Sequence, residues 1–123
     1  MKTIKDYFII KELVDPTVHD KYGEMAWKFI DDRLIECLLI VRQELDAPIS
    51  VNNWFYGGNF TQRGLRHNMS PLVSSKDKLY LSAHIFGKAV DFDVSGMTAV
   101  EVRKWIVDNP QKFPYKIRLE RNL

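Results

Sequence analysis

Apolar residues recur at helical spacing over one long stretch of the chain and alternate over several short ones. Ala26, Phe29, Ile30, Leu34, Cys37, Leu38, Val41 and Leu45 fall at three- and four-residue steps, with Lys28, Asp31, Asp32, Arg42 and Glu44 on the opposite face. That period predicts an amphipathic helix packed on a sheet. Gly23 precedes it and Ala47-Pro48 stops it. Thr98-Ala99-Val100-Glu101 has the form of a capping box and opens a second helix. Val102, Trp105 and Ile106 form its apolar face, and Asn109-Pro110 closes it. Residues 8–14 are a short apolar segment ended by Asp15-Pro16. Residues 49–52, 89–94 and 115–120 read as strands. Between the first two of these strands, residues 54–80 are weakly periodic and rich in Gly, Asn, Arg and Ser. A loop that long in a compact domain is usually functional or disordered. The aromatic rings of Trp54, Phe55, Tyr56 and Phe60 argue for an ordered binding wall. The pattern predicts an α+β domain, with a small, mostly antiparallel sheet packed against two main helices.

A length of 123 residues fits one domain, and 46% apolar residues supply a core and exclude a disordered chain. The net charge of +2 is mild and the basic residues are scattered, so charge makes no case for nucleic acid. Cys37 is the one cysteine. It excludes a disulfide scaffold within the chain and a thiolate zinc cluster, and inside an apolar helical pattern it reads as a buried structural residue. No apolar run is long enough to span a membrane, and the start lacks a secretory signal. The protein is therefore expected to be made and held in a cytoplasm.

The chemistry concentrates in residues 82–93. His84 and Asp91 both carry side chains that bind catalytic zinc, and Gly87 between them lets the backbone turn tightly enough for the two to converge. Asp93 points to the same strand face as Asp91, which makes it a supporting group or an alternative oxygen ligand. His19 and His67 lie in polar surroundings and read as solvated histidines.

Ser82, His84, Gly87, Ala89 and Asp91 together resemble the Ser-x-His-x-x-Gly-x-Ala-x-Asp signature of the zinc D-Ala-D-Ala carboxypeptidases and dipeptidases. That group includes many phage endolysins and shares its fold with the hedgehog signalling domain. The resemblance extends through Phe8 with Glu12-Leu13, Asn53-Trp54, Gly57-Gly58 and Arg63-Gly64-Leu65-Arg66. It implies a hedgehog/D-Ala-D-Ala peptidase-like fold, and zinc held by His84 and Asp91. It implies a peptidoglycan stem peptide containing D-alanine as substrate. Arg63 and Arg66 are the arginines that would hold a substrate carboxylate or carbonyl, with Ser82 and Trp54 completing the substrate-binding set. A phage enzyme of this kind would reach the wall when its host lyses.

The resemblance also implies a third ligand, a histidine on the strand after the second helix, with a glutamate close by as general base. No histidine follows His84, and Glu120 is the last acid in the chain. Glu120 is thus the candidate base, and the domain of residues 1–123 is expected to lack its C-terminal strand. Two protein ligands hold zinc poorly, so this polypeptide alone is expected to be inactive. The rival expectations are a catalytically incomplete module that binds peptidoglycan or protein, and a phage virion component using the same fold.

Overall fold

A computed structural model of the chain describes residues 1–65, 84 and 87–119. Four α-helices and a two-stranded antiparallel sheet make up its regular structure among these residues, a small α+β fold. We label them α1 (Ile10–Leu13), α2 (Pro16–Tyr22), α3 (Asp32–Leu45), β1 (Ile49–Ser50), β2 (Asp93–Val94) and α4 (Ala99–Asp108). None of the helices described is long and apolar enough to cross a membrane.

The N-terminal apolar segment folds as helix, and Asp15-Pro16 starts a second one. Pro16 disfavours helical backbone at the residue before it, so Asp15 is extended (φ −79°, ψ 165°). From that position its carboxylate accepts the Val18 N–H at 2.8 Å and caps α2, with Pro16 in the first turn. The punctuation read in sequence as an end is the N-terminus of α2.

The long helical pattern also divides. A 3₁₀ turn runs from Gly23 to Phe29, Ile30 is extended, and α3 begins only at Asp32. Asp31 causes the break, because its carboxylate caps Arg33 N–H at 2.8 Å. Its own N–H donates to the carbonyl of Gly87 at 2.9 Å. The interruption is thus where the His84 segment docks. Leu38 and Val41 of α3 are buried, and Asp46 ends the helix in a left-handed conformation (φ 46°).

β1 pairs with β2 in the register Ile49 to Val94 and Ser50 to Asp93. Only the end of the strand expected over residues 89–94 joins this ladder. Asp91 N–H goes instead to the carbonyl of Arg63 at 2.7 Å. Residues 115–119 form no strand among the described residues. Alternation reports which face is buried, not which backbone groups pair. The capping box of α4 forms as expected, Glu101 N–H to Thr98 Oγ1 at 3.1 Å and Thr98 N–H to Glu101 Oε1 at 3.0 Å. Val102 and Ile106 face the core, and Phe113 packs edge-on against Trp105 at 6.0 Å.

Candidate functional site

The site is assembled on the short segment 63–65, which lies beside the α1–α2 junction. Leu65 N–H donates to the Leu13 carbonyl at 2.7 Å and the Leu65 carbonyl accepts Asp15 N–H at 3.0 Å. These bonds place Leu65 beside Val14 as an isolated parallel bridge. Gly64 must be glycine here, since a Cβ would collide with the Leu13 carbonyl oxygen. The two remaining carbonyls of the segment hold the residues of the pair. That of Arg63 accepts Asp91 N–H at 2.7 Å, and that of Gly64 takes His84 Nδ1 at 2.9 Å.

A carbonyl can only accept, so Nδ1 of His84 carries the proton and donates. Nε2 is then the atom turned to Asp91, 3.4 Å from its Oδ2. The His84 side chain is 11% exposed and that of Asp91 51%, so the pair sits at a wall with one side open. Gly87 fixes this geometry from the far side. Its φ is +66°, and a Cβ would strike the Phe29 carbonyl oxygen. Ala89 and Val90 close against Ile30, Leu34, Leu38 and Leu65, a space that suits a small side chain at position 89.

Arg63 is drawn into the structure at both ends. Its N–H donates to the side-chain carbonyl of Asn52 at 2.9 Å. Its guanidinium lies over the Phe60 ring, 4.4 Å from the centroid, with Nη1 3.1 Å from the Asp93 carboxylate. That last contact lacks hydrogen-bond alignment and is purely ionic. Asp93 is thus the partner of Arg63 and does not join His84 and Asp91. The cleft in front of the pair is walled by charged residues of both signs, including Lys88, Arg103 and Lys116 with Asp31. Hydrogen bonds from the Arg33 side chain and backbone hold the Asp31 carboxyl at about 2, so it is ionised throughout the ordinary pH range. Cys37 also lines this cleft. Burial and, secondarily, the charge of Glu36 push its thiol up, so in the metal-free chain it stays protonated at neutral pH.

Trp54 is engaged elsewhere. Its indole N–H donates to the Val14 carbonyl at 3.1 Å and its ring meets His19 at 5.9 Å. It does not line the cleft with His84 among the described residues. Ser82, Arg66, Glu120 and His67 lie outside the described residues. Among those described, no group of three or more His, Cys, Asp or Glu side chains converges.

Two contributors escaped the sequence reading. Asn52, 2% exposed, links the end of β1 to both α1 and the 63–65 segment. Gly64 acts through close approach of its backbone. An asparagine between Val51 and Asn53 carries no periodic signal that separates a buried linker from a surface turn, so only the three-dimensional contacts single it out.

No protein-family model, curated protein or solved structure matches the chain.

Proposed function

We propose that this chain is a zinc-dependent peptidase-like domain, of the D-Ala-D-Ala carboxypeptidase type and fold, acting on D-alanine-containing peptides of the bacterial wall. The reading rests on the signature residues 82–91, and the observation that carries it is the separation of His84 Nε2 and Asp91 Oδ2. Zinc bonds to imidazole nitrogen and carboxylate oxygen are each about 2.0–2.2 Å, so two tetrahedral ligands stand about 3.4 Å apart. The pair stands at 3.4 Å, beyond the usual range of about 2.7–3.2 Å for an N–H···O hydrogen bond. The donors therefore fit one edge of a zinc tetrahedron, with His84 Nδ1–H held by a backbone carbonyl as metal-binding histidines require.

When bound, zinc would lower the pKa of its water and polarise the scissile carbonyl. The chain's own residues supply the rest. His84 and Asp91 hold the cation. Glu120 is the proposed base that takes the water's proton and returns it to the leaving amine. Arg63 and Arg66 are the proposed contacts for a substrate carboxylate, and Ser82 the proposed remaining wall. The guanidinium of Arg63 reaches a substrate only by exchanging its ionic contact with Asp93. A phage endolysin released at lysis is the setting proposed for this chemistry.

A second reading has one observation in its favour. Two donors, not three, converge among the described residues, which suits a module that grips peptidoglycan or a protein without cutting. One experiment separates the two. The chain, alone and in a form extended at its C-terminus to carry a third ligand histidine, is incubated with purified peptidoglycan and zinc, and released amines and retained protein are both measured. Chelator-sensitive amine release that disappears in His84→Ala supports the peptidase. Retention without release, with or without zinc, supports the binding module. Neither release nor retention overturns both.

A further inference from the structure

We propose that Asn52 is the positioning residue of the His84–Asp91 pair. The inference rests on the metal-binding reading only for its zinc arm. Asn52 is 2% exposed, and its backbone and side chain make three hydrogen bonds to two separate segments. Its N–H donates to the Glu12 carbonyl at 2.9 Å, which ties it to α1. Its Nδ2 donates to the Val14 carbonyl at 2.9 Å. Its Oδ1 accepts Arg63 N–H at 2.9 Å.

The third bond is the one that matters to the pair. Asn52 anchors Arg63 N–H at one end of the segment and the Leu13 and Asp15 bonds anchor Leu65 at the other, so the Arg63 and Gly64 carbonyls lie between two fixed points. Those carbonyls receive Asp91 N–H and His84 Nδ1–H. Asn52 thus holds both members of the pair through one backbone segment and touches neither side chain. The Val14 bond is less consequential, because the Trp54 indole N–H also donates to that carbonyl at 3.1 Å.

Asn52→Ala and Asn52→Asp divide these roles. Aspartate keeps an acceptor for Arg63 N–H but loses the Val14 bond and buries a carboxylate against that carbonyl, so it is judged by the His84 resonance and not by stability. The first readout is the His84 Nδ1–H proton in the metal-free protein, seen by NMR of nitrogen-15-labelled chain as a slowly exchanging downfield resonance. The second is zinc affinity by calorimetry. In Asn52→Ala the resonance is expected to be lost to exchange and zinc affinity to fall about 10–100-fold, the usual effect of removing a group that orients a ligand. Asn52→Asp is expected to restore both. A folded Asn52→Ala with an intact Nδ1–H resonance overturns the proposal. If the unsubstituted chain itself binds no zinc, the metal reading fails alone and the resonance still decides. Should Asn52→Ala not fold, native-state hydrogen exchange of the unsubstituted metal-free chain decides instead. Arg63 N–H and Asp91 N–H are expected to open in one step with the same denaturant dependence, and separate openings overturn the proposal.

Discussion

The two sides of the cleft are held in different ways. On the His84 side, Glu12, Leu13, Val14, Asp15, Asn52, Arg63, Gly64 and Leu65 are joined by hydrogen bonds among backbone and buried side-chain groups. Across from it, residues 113–119 descend from α4 with Phe113 buried but Tyr115 and Ile117 exposed. Phe113 packs on Trp105 and Leu119 lies against the core, and the polar attachments described for these residues are the Tyr115 hydroxyl donating to Glu36 Oε2 at 2.9 Å and, just before them, Lys112 facing Glu44 at 3.5 Å. A buried polar group left without its partner costs about 1–3 kcal/mol, whereas a surface ion pair contributes about 0–1 kcal/mol. The side bearing His84 and Asp91 is therefore preorganised, and the opposite wall is loosely attached. Ligand binding that reshapes the cleft should move residues 113–119 and leave 63–65 in place.

The strongest way to break this contrast is to crowd the rigid side. Gly87→Ala forces a side chain into a left-handed conformation, at about 1–2 kcal/mol, and drives its Cβ into the Phe29 carbonyl, an overpacking worth a further 1–3 kcal/mol or so. A loss of about 2–5 kcal/mol in urea unfolding is expected. A loss below about 1 kcal/mol would mean that the junction yields and that the pair is not rigidly mounted.

Arg63→Ala keeps the backbone bonds that hold Asp91 and His84 and removes only the Asp93 and Phe60 contacts. Stability should fall by about 1 kcal/mol, within the range for a partly exposed ion pair and ring contact. Zinc affinity should change little. In any form active on carboxylate-ended peptides, KM should rise. Unchanged KM would remove Arg63 from the substrate contacts and leave it a structural role.

These effects separate what the sequence disclosed from what it did not. The capping box at Thr98 and Glu101 and the apolar face of α4 were legible because each depends on residues within one helical turn. The convergence of His84 and Asp91 followed from a signature with its glycine in place. The split of the long helix at Asp31 was not legible. The apolar spacing continues through it, and the break rests on the Asp31 cap together with the Gly87 carbonyl, far along the chain, which accepts the Asp31 N–H. The strand at 89–94 shrank to β2 for the same kind of reason, since Asp91 N–H is claimed by Arg63. Trp54 looked like a cleft residue because aromatics in an irregular segment have no core period to explain them. Its partner, the Val14 carbonyl, lies on another element.

Smaller effects are expected from acid. Glu101 is held below its ordinary value of 4.5 by the hydrogen bonds from Thr98, its backbone N–H first. Its folded value is lowered, so its contribution is present above 4.5 and lost as pH falls through the folded value. Glu12 is raised from 4.5 by burial, so its contribution has the opposite sign, full below 4.5 and lost as pH rises through the folded value. Glu101→Gln should flatten the acid limb of a stability–pH profile, and Glu12→Gln should steepen it by removing the opposing term. Thr98→Ala should cost about 1 kcal/mol at neutral pH and leave most of the Glu101→Gln effect in place, because the backbone N–H at position 98 remains. Loss of the Glu101→Gln effect in Thr98→Ala would show that the Thr98 hydroxyl, not the backbone N–H, holds Glu101 down.

The central claim is that His84 Nε2 and Asp91 Oδ2 form one edge of a zinc site, with Nδ1 of His84 kept protonated by the Gly64 carbonyl. Nitrogen-15 NMR of the His84 ring during zinc titration tests it most directly, with Asp91→Ala as the control. The account predicts that zinc shifts the Nε2 resonance, that Nδ1 stays protonated throughout, and that Asp91→Ala sharply weakens the shift. An unmoved Nε2 at saturating zinc, or zinc taken by Nδ1, would contradict it.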